Sequence, residues 1–568
     1  MYRNEHPNPQ FQRNSFICLN GLWEYGKGKI DTVGKLTEKI EVPFCPESKL
    51  SGIEDKSFIT DCVYSRTVVL TEEDLTGRLV LNFGAVDYIA DVYVNGKFAV
   101  RHTGGYTAFG VDIAPLSIPG ENRITVAVHD DVREGIPSGK QSKKDCSYGC
   151  FYTRSTGIWQ TVWLEKTPRE YIRSVKFYPQ SDFKTVKAEV VTEGCGEVRI
   201  DVRFNGKSVG SAAGKAEYRK TFTINLSETH LWEIGRGNLY DVEITFGEDK
   251  VKSYFGLRTV SYEGRKFLLN GKSVFQRLVL DQGYYEDGIY TAKDVKQFSD
   301  DITLSQTLGF NGARLHQKVF EQRYLYECDK AGYIVWGEFP SWGVKYDDLQ
   351  SLGVVVSQWS EVVEQYFNHP SIITWCPLNE VWEDLDNAKL IRDMRFVEAV
   401  YAVTKALDST RPCVDASGGY HGRFTDVFDF HNYHLSDKTV SFIDDISKHD
   451  KLSMDKTYAP EEAQEDIIYD GKLPLNASEY GGLSYNVGEK DSWGYHSFNS
   501  EEEFLREYLK STTAYLDCDK ISGFCYTQLY DVEQEQNGLY YFSRKSKFSD
   551  EILQKIAECN RIAAAIEK

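Results

Sequence analysis

The sequence predicts a multidomain chain in which two β-sandwich domains precede a (β/α)8 barrel. At 568 residues the chain is too long for one ordinary domain. Its first part consists of short alternating strands separated by Gly, Asn and Asp, whereas from about Val260 apolar runs alternate with amphipathic helical stretches. These patterns place the domains at residues 1–166, 167–259 and 260–568.

Residues 1–166 show strand periodicity and no long helical periodicity. Leu79–Phe83, Ile89–Val94 and Arg123–His129 alternate or run apolar, and Asn95-Gly96 is a strong signal for a tight hairpin turn. This pattern predicts an all-β sandwich.

Residues 167–259 continue as strands spaced by turns such as Asn205-Gly206. The predicted strands are Val186–Val191, Glu197–Phe204, Ala216–Ile224 and Leu239–Phe246. About ninety residues with this spacing are typical of a small immunoglobulin-like sandwich with a supporting role.

Residues 260–568 contain eight candidate strands, most of them separated by predicted helices, which is typical of a (β/α)8 barrel. The strands are Ser273–Leu280, Gly312–His316, Tyr333–Phe339, Ile372–Leu378, Cys413–Ala416, Val427–Tyr433, Leu473–Glu479 and Ser522–Leu529. The helices are expected near Ala292–Leu308, Tyr324–Lys330, Val354–Phe367, Ala388–Ala406, Glu501–Leu516 and Glu551–Ile566.

Charge and composition argue against several classes of partner. A formal net charge of −19 disfavours nucleic acid and anionic membrane surfaces, and no run of about 18 apolar residues is present. The polar amino terminus resembles no signal peptide, and twelve cysteines without a double CxxC pattern indicate reduced thiols. We therefore expect a cytoplasmic protein.

Two carboxylates follow apolar runs at predicted barrel strand ends, where such folds place reactive groups. Glu380 comes after Ile372–Leu378 and Asn379, at predicted strand four, and Glu479 comes after Leu473–Ser478, at predicted strand seven. A single Glu in such a place is more often structural, but an opposed pair is what cleavage of a glycosidic bond requires.

Several strings resemble glycoside hydrolase family 2 along nearly the whole chain. They are Leu19–Trp23, His102–Phe109, Thr156–Gln160, Asn368–Trp375 ending in Asn379-Glu380, and Ser478–Gly481. The resemblance implies a jelly roll, an immunoglobulin-like domain and a catalytic barrel. It also implies a retaining exo-β-glycosidase in which Glu380 is the acid/base, Glu479 the nucleophile and Asn379 a ligand of the sugar 2-hydroxyl.

Other polar or aromatic residues near predicted strand ends are candidates for substrate binding. The resemblance gives Arg314 the role of bracing the nucleophile. The remaining candidates are His316, Asp281, Glu338, His431, Tyr433, Trp493 and Gln528. For each of them a structural role, such as a salt bridge or core packing, is the alternative.

The sugar is harder to predict than the reaction. The family's glucuronidases resemble one another in an Asn-x-Lys motif, and the matching stretch here, Glu535–Tyr540, lacks the Lys. This favours a neutral, galactose-like β-glycoside, with an arabinoside second and a glucuronide third, the last needing a cation from elsewhere such as Lys140 or Lys318.

Two departures from the family pattern, Cys376-Pro377-Leu378 and Leu278–Asp281, leave the sugar open. A rival class is a catalytically inactive carbohydrate-binding protein, and a transglycosylase would carry the same residues. We predict no cofactor and no obligatory metal, a glycoside or oligosaccharide as the partner, and a homo-oligomer by analogy with the family.

Overall fold

The computed structural model describes residues 2–131, 134–381, 393–418, 421–453, 468–485 and 493–568. Two β domains precede a barrel, as the sequence predicts. Among the described helices, none is long and apolar enough to cross a membrane.

The N-terminal domain packs a four-stranded sheet and a six-stranded sheet around one apolar core. The hairpin predicted at Asn95-Gly96 forms between Ile89–Val94 and Lys97–Thr103. The strands are Ile17–Cys18, Gly21–Lys27, Glu38–Val42, Asp61–Leu70, Arg78–Phe83, Val86–Asp87, Ile89–Val94, Lys97–Thr103, Phe109–Asp112, Gly120–His129, Gly157–Ile158 and Val162–Thr167. Short 3-10 helices lie at Lys49–Ser51, Glu73–Leu75 and Ala114–Leu116.

The middle domain is built on two very long strands joined at the Asn205-Gly206 turn. What the sequence suggested as separate strands around Val191 and Glu197 is one strand with an irregular register. The strands are Tyr171–Pro179, Thr185–Phe204, Lys207–Asn225, Leu239–Phe246 and Asp249–Gly256.

The barrel begins after a small antiparallel sheet of Val260–Glu263, Lys266–Leu269 and Lys272–Ser273. Seven parallel strands form its wall: Gln276–Asp281, Gly312–Leu315, Ile334–Glu338, Ile372–Cys376, Phe428–Asn432, Leu475–Gly481 and Ile521–Thr527. The helices described around them are Val295–Thr307, Gln322–Ala331, Leu349–Tyr366, Met394–Leu407, Ser436–Lys448, Glu501–Asp517 and Asp550–Asn560. Short strands lie at Leu452–Ser453, Ile468–Tyr469, Leu483–Tyr485 and His496–Phe498, and a 3-10 helix at Ala565–Glu567.

The fifth position of the barrel differs from the prediction. The stretch predicted as strand Cys413–Ala416 meets strand four only through isolated bridges, Trp375 to Cys413 and Asn379 to Ser417. The helix Ser436–Lys448 was missed, because its pattern resembles a polar loop. Part of the helix predicted near Ala388–Ala406 lies outside the described residues, and its described portion begins at Met394.

The N-terminal domain and the barrel share one apolar core. Tyr106, Tyr152 and Trp159 of the N-terminal domain belong to the same buried cluster as Tyr284 and Tyr290 of the barrel. The barrel mouth is therefore bordered by two domains.

Candidate active site

Glu479 lies at the end of the strand Leu475–Gly481, and its carboxylate is held by three neighbours. Arg314 Nη1 donates to Glu479 Oε1 at 3.0 Å, and the Tyr433 hydroxyl donates to Oε2 at 2.5 Å. His431 Nε2 lies 3.4 Å from Oε1. The side chain is 5% exposed, so these partners fix its orientation in a nearly dry setting.

Arg314 is itself held by Glu338, which ends the third strand. Arg314 Nε donates to Glu338 Oε1 at 2.5 Å, and His316 Nδ1 lies 3.0 Å from Glu338 Oε2. Arg314 Nη2 also donates to Asn379 Oδ1 at 3.1 Å. Arg314 and Glu338 thus brace Glu479 and Asn379, and His316 lies 3.9 Å from Glu479 through Nε2.

Glu380 follows the fourth strand in a left-handed backbone conformation, with φ of 50°. His431 Nδ1 lies 2.7 Å from Glu380 Oε1. One oxygen each of Glu380 and Glu479 and one nitrogen of His431 lie within 4.8 Å of one another. The structure therefore brings the two predicted carboxylates together, with His431 between them.

These three groups also have the donor types that a divalent cation accepts. A cation there would use the same oxygens that would contact a sugar. The expectation that no metal is obligatory stays a prediction.

A buried polar chain lies behind His431. Ser417 Oγ donates to Asp429 Oδ2 at 2.6 Å and lies 3.1 Å from His431 Nε2. His421 lies 2.6 Å from Asp415 through Nδ1 and 3.1 Å from Asp429 through Nε2. Sequence reasoning missed this chain, because its members come from a loop and a strand interior that carry no motif.

Asn379 and two aromatic residues border the carboxylate pair. The Asn379 side-chain nitrogen is buried and has no hydrogen-bond partner among the described residues, as is expected of a group that binds a ligand. Tyr495 stacks on Tyr433 with ring centroids 3.6 Å apart, and Trp493 meets Tyr495 edge-on at 5.2 Å. Trp493 thus contacts Tyr495, which in turn stacks on Tyr433 beside Glu479.

Two predicted sugar-binding residues are engaged elsewhere. Asp281 accepts hydrogen bonds from the hydroxyl of Tyr324 at 2.9 Å, the amide of Gly283 at 2.9 Å and the hydroxyl of Tyr530. Both of its oxygens accept hydrogen bonds from within the protein, and the expectation that Asp281 binds sugar hydroxyls stays a prediction. These contacts hold the start of the barrel.

Gln528 is fully buried in a second network rather than facing the carboxylate pair. It donates to Asn537 Oδ1 at 2.8 Å and accepts from Gln282 at 2.9 Å. Asn537 donates to Glu535 Oε1 at 3.1 Å, and the hydroxyl of Tyr152 donates to Glu535 Oε2. These contacts occupy both ends of the Gln528 amide, and its expected place in a pocket wall stays a prediction.

The charges in the site shift its pKa values in opposite directions. Burial would raise the pKa of Glu479, but His431, His316, Arg314 and the Tyr433 hydrogen bond lower it overall. Burial would lower the pKa of His431, but Glu479 and Glu380 raise it. The geometry therefore favours an ionised Glu479 beside a protonated His431.

Models of glycoside hydrolase family 2 match most of the chain. The sugar binding domain matches residues 51–168, a second family 2 domain matches 170–258, and the TIM barrel domain matches 260–490. These ranges follow the order of the three domains described above.

Curated relatives include enzymes for two kinds of sugar. The chain is 27% identical to the β-glucuronidase of Homo sapiens over 414 residues, covering 65% of this chain and 62% of that one. It is 24% identical to the β-galactosidase of Thermoanaerobacterium thermosulfurigenes over 546 residues, covering 89% of this chain and 69% of that one. The chain thus spans less than two thirds of the human protein's length.

Solved structures share the fold over nearly the whole chain. The β-D-glucuronidase of Dictyoglomus thermophilum superposes with a TM-score of 0.79 at 20% identity, covering 99% of this chain and 100% of that one. A family 2 β-galacturonidase of Eisenbergiella tayi gives 0.74 at 20% identity, covering 99% and 98%. These likenesses show the fold, and the three matched domains show that the chain belongs to glycoside hydrolase family 2.

Proposed function

We propose that the chain is a retaining, exo-acting β-glycosidase in which Glu479 is the nucleophile and Glu380 the acid/base. The observation that carries this proposal is the approach of the two carboxylates to within 4.8 Å. Retaining glycosidases keep their carboxyl groups about 5 to 5.5 Å apart, whereas inverting ones leave room for a water at roughly 6.5 to 9.5 Å.

In the first step, a Glu479 oxygen attacks the anomeric carbon while the bond from that carbon to the leaving oxygen breaks. Glu380 gives its proton to the leaving oxygen, and a glycosyl ester of Glu479 forms. Arg314 and Tyr433 hold the attacking carboxylate in its ionised form through the hydrogen bonds described above.

In the second step, Glu380 takes a proton from water as the water oxygen attacks the anomeric carbon. The ester bond to Glu479 breaks, and the sugar leaves with its original configuration. His431 contacts both carboxylates. It therefore stays beside a negative charge in both steps, since Glu479 is ionised before the ester forms and Glu380 is ionised afterwards. The free amide nitrogen of Asn379 suits a hydrogen bond to a sugar hydroxyl near the reacting carbon.

Two sugars are supported as the glycone. A β-galactoside is favoured by the missing Lys in Glu535–Tyr540 and by the relative named a β-galactosidase. A β-glucuronide is at least as well supported, since other relatives and neighbours are named β-glucuronidases. The catalytic proposal is the same for both.

Azide rescue of carboxylate variants tests the two assigned roles. With 4-nitrophenyl β-glycosides, we expect Glu479→Ala and Glu380→Ala each to lower kcat by about 10³-fold or more, because one removes the nucleophile and the other removes the acid/base. Azide should then yield the inverted glycosyl azide from Glu479→Ala and the retained one from Glu380→Ala, identified by NMR of the product.

Thermal melts of both variants serve as the folding control. Retained azide from Glu479→Ala, or no effect of either substitution on turnover, would contradict the assignment. If folded wild-type protein cleaves none of the glycosides but binds sugars, the inactive carbohydrate-binding alternative would replace the proposal.

A further inference from the structure

Lys140 of the N-terminal domain is a buried ammonium for which the described part of the chain provides no anionic partner. Its residue is 7% exposed. Its Nζ lies 5.8 Å from the centre of the Tyr152 ring and 5.6 Å from that of Trp342. Among the described residues no carboxylate forms an ion pair with it, and no oxygen accepts a hydrogen bond from it.

The backbone around Lys140 is fixed against the barrel. Gly139 has φ of 59°, and its amide donates to the carbonyls of Pro340 and Trp342 at 3.2 and 3.1 Å. A Cβ at Gly139 would lie 2.2 Å from the carbonyl oxygen of Gln317, so this close approach requires glycine. The segment therefore holds Lys140 beside the loops that follow the second and third barrel strands.

The charges of the reacting carboxylates act on this ammonium. Burial lowers the pKa of Lys140, but Glu535, Glu479 and Glu380 raise it above its ordinary value. Burial and the charge of Lys140 together lower the pKa of His316, which stands 3.9 Å from Glu479. Lys140 and the catalytic pair thus share one electrostatic environment.

A buried charge without a partner costs several kcal/mol, so such a group is expected to meet an anion. Glu535, the carboxylate that raises the pKa of Lys140 most, accepts a hydrogen bond on each of its oxygens, one from Tyr152 and one from Asn537. The other cation considered from the sequence, Lys318, donates to the carbonyls of Gly283 and Tyr290 and is used in structure. Of these two lysines, Lys140 is the one without a hydrogen-bond or ion-pair partner among the described residues.

We infer that Lys140 binds the carboxylate of a β-linked uronic acid, and so sets the substrate class of the site described above. In a pyranuronide the carboxylate is carried on the same ring as the anomeric carbon. A cation that binds it must therefore lie about one sugar ring away from Glu479 and Glu380. Lys140 is held against the loops that follow the second and third barrel strands, which carry Arg314 and Glu338. The inference rests on the proposed glycosidase function and chooses the anionic one of the two glycones supported there.

The test compares charged and neutral substrates on matched variants. We expect wild type to cleave 4-nitrophenyl β-D-glucuronide or β-D-galacturonide with a kcat/KM at least 10-fold above that for the corresponding glucoside or galactoside. Lys140→Met should lower kcat/KM for the uronide about 100-fold or more and change that for the neutral glycoside less than 3-fold. Lys144→Met, an exposed lysine in the same loop with its Nζ 4.0 Å from the Tyr148 ring, should leave both unchanged.

A binding measurement on wild type covers the case in which Lys140→Met does not fold. Free glucuronate or galacturonate should inhibit at least 10-fold more strongly than the matching uronamide, which lacks the charge. Equal inhibition by acid and amide, or equal loss of uronide and neutral turnover in folded Lys140→Met, would overturn the inference. Efficient cleavage of neutral glycosides alone would overturn it and leave the glycosidase proposal intact, whereas no cleavage of any glycoside would refute that proposal instead.

Discussion

The hydroxyl of Tyr433 donates the shortest hydrogen bond that Glu479 accepts among the described residues, at 2.5 Å. The same hydroxyl lies 3.1 Å from Thr527 Oγ1. A donor aimed at a carboxylate stabilises its charged form, so it lowers the carboxylate's pKa. This single hydrogen bond should therefore influence how the activity depends on pH.

Removing this hydroxyl should move the acidic limb of activity. In Tyr433→Phe the pKa of Glu479 rises because a lowering hydrogen bond is lost, although Arg314, His316 and His431 remain. Activity that needs ionised Glu479 is lost as pH falls through this pKa, so the loss should begin at a higher pH than in wild type. We also expect kcat/KM at neutral pH to fall about 10- to 100-fold, as for a hydrogen bond to a charged group.

Profiles of kcat/KM against pH between 3 and 8 measure both effects. Tyr530→Phe is the matched control, since it removes a buried tyrosine hydroxyl from another carboxylate, Asp281. The control should lower stability and leave the acidic limb in place. An unmoved limb in Tyr433→Phe would show that Glu479 does not depend on this contact.

Sequence reasoning was most successful for residues at strand ends. Glu380, Glu479, Asn379, Arg314 and His431 meet in the structure because parallel strands deliver their carboxyl ends to one rim. It did not anticipate the contacts of Asp281 with Tyr324 and Tyr530, or those of Gln528 with Gln282 and Asn537. Such pairings depend on loop paths that no local pattern encodes.

The segment around Cys413–Ala416, between the fourth and sixth barrel positions, forms isolated bridges instead of a regular strand, and polar contacts hold it in place. His421 lies between Asp415 and Asp429, whose side chains are fully buried. Burial would lower the pKa of His421, but Asp415 and Asp429 raise it to about 10. This element therefore depends on one protonated histidine that compensates two buried carboxylates.

The stability of this segment should depend on pH in a defined direction. The folded pKa of His421, about 10, exceeds its ordinary value of 6.5, so its contribution is complete below pH 6.5 and is lost as pH rises towards 10. His421→Gln should lower the free energy of unfolding by about 3 to 5 kcal/mol at pH 6, since it leaves buried carboxylates uncompensated.

Denaturant unfolding of wild type and His421→Gln at pH 6, 8 and 10 checks this. The difference in free energy of unfolding between the two proteins should shrink as pH rises. His449→Gln is the control, because the exposed imidazole of His449 contacts only the backbone carbonyl of Asp445 among the described residues. A difference that is constant with pH would mean that His421 is neutral in the folded protein.

The whole molecule behaves as one packing unit where the N-terminal domain meets the barrel. Besides the shared aromatic core, Arg3 pairs with Glu321 at 2.7 Å, and Thr291 donates to the carbonyl of Trp159 at 2.5 Å. The order of domains could be predicted from periodicity. This interface could not, because it joins residues more than a hundred positions apart.

A barrel expressed without the preceding domains should therefore fail to fold. A fragment of residues 260–568 would expose Tyr284 and Tyr290, which are 2% and 1% exposed in the full chain. We expect the fragment to be insoluble or to bind a hydrophobic dye, and the full chain to unfold without a separate barrel transition in calorimetry. A soluble fragment with its own sharp melting transition would contradict this view.

Lys140 belongs to the N-terminal domain, whereas Glu380 and Glu479 belong to the barrel. The group that would select the substrate and the groups that would break its bond are thus encoded in separate stretches of the gene. Substitutions in residues 138–153 would then alter which substrate the protein selects and leave Glu380 and Glu479 unchanged. In this arrangement, substrate selection can evolve independently of the residues that cleave the glycosidic bond.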